Sequence, residues 1–216
     1  MIGFDHLYDT HRGETCVVIG NGPSLRDVPD AFLRKHPSFG ANRIGMRFTP
    51  TYYVAINPLV IEQNLVEILN LDCKAKFLRV GMGFCDEFEY ELRSMAMPLF
   101  SYNPSAYVYE GFTVTFVSLQ LAFFMGFSTV LLVGVDHRYT YDGAPNAEAV
   151  MTHDDPNHFD PAYFKGQRWN NPDLERSAEA YMLAKVAFES ECRHIINLTE
   201  GSALDVFERG ELKRWQ

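Results

Sequence analysis

The stretch that decides the fold is Thr15-Cys16-Val17-Val18-Ile19-Gly20-Asn21-Gly22-Pro23-Ser24. Its apolar, β-rich first half ends at a glycine, a pattern typical of a buried strand. The residues that follow, 25–36, place four apolar side chains on one helical face, and Ser24 precedes them as a predicted N-cap. We therefore predict a strand, a tight turn and a helix, the opening unit of an α/β domain.

The rest of the chain continues this alternation of strands and helices. Short apolar runs predict further strands at 38–42, 51–56, 75–80, 128–133 and 194–198, and apolar periodicity predicts helices at 60–69, 113–125 and 173–192. Such alternation favours a mainly parallel sheet with helices on both faces, so we predict one Rossmann-like α/β domain over residues 1–216. The long polar stretch 135–172 is predicted to be an active-site loop or lid.

Composition excludes several classes of protein. The formal net charge is −9 and no basic patch is visible, so we expect no nucleic-acid partner. No apolar run is long enough for a membrane span, and the first fourteen residues lack a signal core. The cysteines (Cys16, Cys73, Cys85 and Cys192) form no C-x-x-C pair, which fits reduced thiols. We expect a cytoplasmic protein; a homo-oligomer stays open.

The glycine-rich turn is the first candidate site. Its residues are Gly20, Asn21, Gly22, Pro23 and Ser24. Glycines let backbone amides approach a phosphate, and the helix that follows would present its positive end, so we predict a phosphate-bearing nucleotide here. The turn matches neither the dinucleotide fingerprint nor the P-loop pattern. An ordinary turn capped by Ser24 is the alternative.

Polar residues follow three other predicted strands. Asn42, Asn57 and Asp136 each come directly after an apolar run. Ligands of parallel α/β sheets bind at the carboxyl ends of the strands, so these residues and the glycine turn are expected to meet in one crevice. The amide of an asparagine can form hydrogen bonds with a base edge or a sugar hydroxyl. The alternatives are that the asparagines are ordinary turn residues and that Asp136 only caps the edge of the sheet.

The long loop carries further candidates. The segment 136–141 could hold a leaving group or a metal, and 153–160 offers two histidines and three carboxylates. The spacing of these residues does not match a known zinc-binding motif, so we assign no metal ligand. A single histidine acting as general base and a solvated loop both stay open. Elsewhere, Arg176 is predicted to lie on a solvated helix face and Phe112 in the core. For the aromatic-rich stretch 102–112, an acceptor wall and a subunit interface both stay open as well.

The ordered motifs resemble a family of proteins. They are Val17-Val18-Ile19-Gly20-Asn21-Gly22-Pro23-Ser24-Leu25, Gly40-Ala41-Asn42-Arg43, Ala55-Ile56-Asn57-Pro58, Thr113, Gly126-Phe127, Val133-Gly134-Val135-Asp136 and Asn157-His158-Phe159. This set, covering about 15–198, resembles the bacterial MptE-like (6-hydroxymethylpterin diphosphokinase MptE-like) family. It is also similar to small bacterial CMP-sialic acid sialyltransferases and to motility-associated-factor glycosyltransferases.

The resemblance implies a function and roles for individual residues. It implies a glycosyltransferase-like enzyme of bacterial surface-glycan assembly that uses a nucleotide-activated sugar, CMP-linked by preference, and a glycan acceptor. Asn21, Asn42 and Asn57 would hold the nucleotide, and His158 would be the base of a metal-independent inverting transfer. Tyr139 or Tyr141 would hydrogen-bond the departing phosphate.

The chain also departs from the sialyltransferase pattern. Gly111 and Val114 flank Thr113 where those enzymes carry an arginine and a serine facing the donor sugar, so a CMP-nonulosonate is one candidate donor among others. Two other functions stay open. One is a magnesium-dependent pyrophosphokinase or phosphotransferase using Asp136, Asp154 and Asp155. The other is a nucleotide-binding module without catalysis.

Overall fold

The structure is a computed structural model that describes residues 3–79, 81 and 89–215. Two of the sequence predictions fall outside these residues: Val80, the last residue of the predicted strand 75–80, and Cys85. The other three cysteines are free thiols, with Cys16 buried and Cys192 exposed.

The centre of the fold is an eight-stranded sheet in which every pairing is parallel. The strands of the described residues are β1 (Thr15–Ile19), β2 (Ser38–Ala41), β3 (Tyr52–Ala55), β4 (Ala75–Arg79), β5 (Glu89–Leu92), β6 (Ser94–Met95), β7 (Val108–Tyr109), β8 (Thr129–Val133), β9 (Glu148–Val150), β10 (Arg168–Asn170), β11 (His194–Asn197) and β12 (Glu208–Arg209). The order in the large sheet is β12-β11-β8-β1-β2-β3-β4-β5, while β9 pairs with β10 and β6 with β7 in two small sheets.

Four α-helices connect these strands. They are α1 (Asp30–Leu33), α2 (Pro58–Leu69), α3 (Val114–Phe124) and α4 (Leu174–Ser190), and short 3-10 helices lie at Asp5–Leu7, Pro23–Asp27, Ile44–Met46 and Leu212–Arg214. In the part of the chain that the structure describes, no helix is both long and apolar enough to span a bilayer.

The two faces of the sheet are buried in two separate apolar layers. Alternate residues of β1 show this: Cys16 and Val18 face the layer of α3 and α4, whereas Val17 and Ile19 face that of α1 and α2. A parallel strand that is covered on both faces must be apolar throughout, which explains the uninterrupted apolar run of β1. The predicted fold class, a Rossmann-like α/β fold with a mainly parallel sheet, is confirmed.

The helix predicted over 25–36 is wrong. The chain forms the 3-10 helix Pro23–Asp27, then an extended Val28, and then the single turn α1. Pro29 causes the break, because its ring disfavours helical backbone at the preceding residue and it has no N–H to donate. Ser24 is consequently not an N-cap; it lies inside the 3-10 helix.

The long segment 135–172 is folded against the sheet. It contains the antiparallel pair β9 and β10, and its large aromatic side chains are buried in the layer of α1 and α2. Those side chains are Phe159, Tyr163, Phe164 and Trp169. Because they supply core to this layer, the segment is an integral part of the fold rather than a solvated loop.

Candidate functional site

The strand order creates a crevice at the middle of the sheet. From β1 the chain moves to β2, β3 and β4 on one side, whereas β8 and β11 extend the sheet on the other side of β1. Connections therefore leave β1 and β8 in opposite directions, and ligands of open parallel sheets bind at such a switch point, outside the carboxyl ends of the strands. A cavity of about 480 Å³ lies at this place, with walls from 19–21, 41–42, 56–58, 110–115 and 134–137.

The glycines of the first turn allow it to pack against the turn that follows β8. The Gly20 N–H donates to the Val133 carbonyl at 2.8 Å, and the Gly22 N–H donates to the Gly134 carbonyl at 2.9 Å. A Cβ on Gly20 would collide with the Gly134 carbonyl oxygen and lie 2.7 Å from its carbon. Close approach of the two backbones therefore requires glycine at position 20, whatever ligand binds there.

This packing uses most of the donors expected to cradle a phosphate. The Ser24 N–H and hydroxyl both donate to the Asp136 carboxylate, at 3.2 and 2.7 Å, and Pro23 has no N–H. Within the described residues, Asn21 has the one N–H of the turn without an acceptor. The helix that follows has only five residues, so the turn alone is a poorer anion site than its glycines predict.

The three predicted asparagines all line the cavity. Asn21 donates through Nδ2 to the Ala41 carbonyl at 3.1 Å, while its buried Oδ1 has no hydrogen-bond partner among the described atoms. Asn42 has a left-handed backbone with φ of 53°, which asparagine tolerates better than most residues. Asn57 caps α2 by accepting the Leu59 N–H at 3.0 Å. Asn57 also donates through Nδ2 to Asn170 Oδ1 at 3.1 Å, whereas Asn21 Oδ1 and the Asn42 side chain make no hydrogen bond within the described residues.

The amino end of α3 forms the opposite wall. Thr113 is its N-cap, and Thr113 Oγ1 accepts the Thr115 N–H at 3.3 Å and lies 3.4 Å from the Tyr181 hydroxyl on α4. The first residues of α2 and α4 also line the cavity. The positive dipole ends of three helices therefore meet at this space, and the side chains of Asn57, Thr113 and Asp173 each accept one N–H of the first helical turn.

His158 lines the cavity and forms a buried hydrogen-bonded pair with Asp155. His158 Nδ1 lies 2.8 Å from Asp155 Oδ2, and the other carboxylate oxygen accepts the Asn157 N–H at 2.8 Å. Both residues are almost fully buried. In the imidazole tautomer with its proton on Nδ1, that nitrogen donates to the carboxylate and Nε2 carries the lone pair. Nε2 has no partner among the described residues, so this nitrogen is available to take a proton from a ligand in the cavity.

Contacts from three directions hold His158 in place. Its ring stacks on the Tyr163 ring, with 4.1 Å between centroids and 2° between planes. Arg26 donates to the carbonyls of His158 and Phe159 at 3.0 and 2.6 Å, and the Phe159 N–H donates to the Asn21 carbonyl at 2.9 Å. The histidine is thereby tied directly to the turn after β1.

A second arginine fixes the segment just after the histidine. Arg43 donates to the carbonyls of Ala162 and Tyr163 and forms an ion pair with Glu67 at 2.8 Å. Arg43 immediately follows Asn42 and is part of the same motif. Arg43 therefore joins the turn after β2 to the segment that follows the histidine.

The two predicted tyrosines have different positions. Tyr139 lines the cavity at 6.1 Å from the His158 ring, centroid to centroid, and burial raises the pKa of its phenol far above the ordinary value. Its hydroxyl therefore stays protonated and can donate. The Tyr141 hydroxyl instead donates to the Pro172 carbonyl at 3.1 Å, and Tyr141 is outside the cavity wall. Of the two, Tyr139 is the one placed to meet a ligand.

The carboxylates suggested for magnesium lie in three separate environments. Asp136 accepts from Ser24, Asp155 is hydrogen-bonded to His158, and Asp154 is exposed and paired with Lys165 at 2.7 Å. The described residues contain no cluster of three acidic, histidine or cysteine side chains that could hold a metal. These three carboxylates do not fit a shared metal, and we derive no step through one.

Sequence reasoning missed several cavity residues. The role of Asp155 as the partner of His158 could have been suspected from the i, i+3 spacing, but the loop conformation that joins them has no sequence signal. Arg79 and Trp169 lie in strands and passed as ordinary sheet residues, although Arg79 is partly exposed and Trp169 is buried. Arg176 is on a solvated face as predicted, with its side chain 61% exposed, and it also lines the cavity. The core position predicted for Phe112 is wrong, because Phe112 lines the cavity and is 41% exposed.

The fold and the site together define a parallel α/β domain with a cavity of mixed polar and apolar lining at its topological switch point. Comparison of the chain with family models, with curated proteins and with solved structures found no match.

Proposed function

We propose that the protein is a glycosyltransferase-like enzyme that takes a nucleotide-activated sugar, CMP-linked by preference, and transfers the sugar to a hydroxyl of a glycan acceptor. The observation that carries the proposal is the buried Asp155–His158 pair, whose free Nε2 is in the same cavity as Asn21, Asn42 and Tyr139. A histidine held in one tautomer by a carboxylate is a common arrangement for a general base.

The transfer would be a single displacement with inversion. His158 Nε2 takes the proton of the acceptor hydroxyl as the hydroxyl oxygen forms a bond to the anomeric carbon. The bond from that carbon to the phosphate oxygen breaks, and its electron pair leaves with the nucleotide. Asp155 stabilises the imidazolium that forms, because its carboxylate lies 2.8 Å from Nδ1.

The leaving phosphate needs hydrogen bonds more than it needs a strong acid, since it is a weak base. The Tyr139 hydroxyl, the Asn21 N–H and the N–H groups at the start of α3 are donors on the cavity wall. Asn42, which directly follows β2 and lines the cavity, would bind the ribose or the base. Each of these donors belongs to this chain, so the step requires no metal.

The first experiment is a thermal-shift series with CMP, CDP, UDP, GDP and ATP, with and without magnesium. A ligand at a hundred times its Kd stabilises the native state by about 2.7 kcal/mol. For a domain of this size that raises the melting temperature by roughly 5–10 °C. We expect a dose-dependent rise with CMP that EDTA does not abolish. A rise with ATP that requires magnesium would favour the phosphotransferase.

Catalysis is tested with the donor whose nucleotide binds. His158→Gln should lower the transfer rate by about 10²- to 10⁴-fold while the nucleotide still shifts the melting temperature. His153→Gln is the matched control, because His153 is in the same segment but exposed. Full activity in His158→Gln would overturn the assignment of the base, and binding without turnover for every donor would identify a non-catalytic module.

A further inference from the structure

Phe112 has a combination of features that packing does not explain. It is a large aromatic residue, 41% exposed, on the cavity wall. Its backbone is left-handed, with φ of 58°, and the preceding Gly111 is left-handed as well. A bulky side chain in this region is rare and strained, and such strain tends to occur where a ligand binds.

The surroundings of Gly111 explain how the strain arises. A Cβ on Gly111 would collide with the Phe116 ring and lie 2.9 Å from the Cβ of Ala180, so the backbone is wedged between α3 and α4. Thr113 follows as the N-cap of α3. Between these two fixed points, the left-handed Phe112 directs its ring to the cavity and solvent rather than into the α3–α4 core.

Arg176 of α4 packs over the face of the Phe112 ring. The guanidinium carbon lies 5.0 Å from the ring centroid, a cation–π arrangement that keeps both planar groups in position. The side chain of Arg176 is itself 61% exposed and lies 3.9 Å from the Asp173 carboxylate. Arg176 therefore covers one face of the Phe112 ring, and both residues line the cavity.

Charged groups suited to hydroxyls lie beside this surface. The Arg79 guanidinium contacts the Glu110 carboxylate at 3.1 Å, both residues are partly exposed, and both line the cavity. Such a pair offers donors and acceptors side by side. An apolar aromatic face next to paired donors and acceptors complements a pyranose ring, which has an apolar C–H face and hydroxyls around its edge.

We propose that Phe112, supported by Arg176 and flanked by the Arg79–Glu110 pair, is a stacking platform for the C–H face of a pyranose. The inference rests on the proposed function, because it assumes that the nucleotide binds at the asparagine side of the cavity. The sugar contact itself does not need a nucleotide, and the test uses this independence.

The experiment measures free sugars by saturation-transfer NMR. Methyl glucoside, methyl galactoside and methyl N-acetylglucosaminide are presented at millimolar concentration to the wild-type protein and three variants. Phe112→Tyr keeps the flat ring, whereas Phe112→Leu keeps an apolar side chain without one. Tyr8→Leu is the control for an exposed aromatic residue outside the cavity wall.

We expect at least one pyranoside to receive saturation at its C–H protons in the wild type, in Phe112→Tyr and in Tyr8→Leu. Loss of the ring in Phe112→Leu should weaken binding by roughly 3- to 10-fold, the usual effect of an aromatic contact. No transfer to any of the pyranosides in the wild type, or equal transfer in Phe112→Leu, overturns the platform.

The second part of the test is the thermal-shift series with nucleotides. Phe112→Leu should leave the thermal shift by the bare nucleotide unchanged. A large loss of that shift would mean that Phe112 stacks on the base, which also overturns the proposal. A protein that binds a pyranoside through Phe112 but no nucleotide would keep the platform and refute the proposed transferase.

Discussion

Replacing Gly20 by alanine tests whether the glycine turn exists for packing or for a ligand. The added methyl would meet the backbone carbonyl of Gly134, which can move only if the turns after β1 and β8 separate. Overpacking of this kind costs about 1–3 kcal/mol. The alanine also restricts the unfolded chain, which offsets about 0.4–1 kcal/mol. The net expected loss is about 1–2 kcal/mol of unfolding free energy.

The assay is urea and thermal unfolding of the protein without any ligand. A loss of this size lowers the melting temperature by roughly 2–8 °C in a domain of about 200 residues. Gly22→Ala should behave similarly, because a Cβ there would lie 2.6 Å from the Asp136 carboxylate carbon. Gly3→Ala is the control, since its Cβ would make only an ordinary 3.6 Å contact.

Unchanged unfolding of Gly20→Ala, with the same midpoint as Gly3→Ala, would refute this reasoning. The glycine would then be needed for close approach of a ligand alone. Loss of stability together with loss of nucleotide binding would be expected if both turns must meet before the cavity forms.

Three further predictions follow from the contacts of the site. Asn57→Ala removes the cap of α2 at Leu59, so the free energy of unfolding should fall by about 0.5–2 kcal/mol in urea, whereas Asn57→Ser should retain most of it. Asp136→Asn and Ser24→Ala should each lower the free energy of unfolding in urea by weakening the contact between the two turns. The double variant should lose less unfolding free energy than the sum of the two single losses, and strict additivity would contradict the coupling. Burial lowers the pKa of His137, so the unfolded chain binds more protons and stability should decrease as the pH falls through about 6.5. Melting curves of His137→Asn should depend less on pH in that range, and an identical dependence would exclude this histidine.

The elements that sequence reasoning predicted well are those whose signals are local. Strands β1, β3 and β8 and helices α3 and α4 begin and end within one or two residues of their predicted bounds. Burial on both faces imposes an apolar run on a parallel strand, and a helix between two layers imposes its own periodicity. The order of such elements along the chain was sufficient to predict a parallel sheet.

The helix predicted after the glycine turn shows where this reasoning stops. Its four periodic residues, Leu25, Val28, Phe32 and Leu33, are all buried as a helical face would be. The backbone that buries them is nevertheless a 3-10 turn, an extended residue and one α-turn. Apolar spacing predicts which side chains are buried, but it does not fix the backbone conformation that buries them. Pro29 sets that conformation here. The proline is visible in the sequence, but the prediction gave more weight to the apolar spacing.

The convergence of polar residues at one cavity was predicted in part, because the carboxyl ends of parallel strands share an edge. That rule placed Gly20, Asn21, Asn42, Asn57 and Asp136 together, and all five line the cavity. The rule could not predict what each of these five residues contacts. The pairing of Asp136 with Ser24, across 112 residues of chain, takes up hydrogen-bonding groups that the sequence left free for a ligand.

Sequence alone determined the class of this protein: an acidic parallel α/β domain with polar groups at its strand ends. Tertiary structure alone decided which groups are available for chemistry. The Asp155–His158 pair, the stack of His158 on Tyr163 and the Phe112–Arg176 surface depend on loop conformations and on contacts between distant segments. Periodicity reports the environment of one side chain at a time, whereas a site is a set of distances between side chains, and only the folded chain sets those distances.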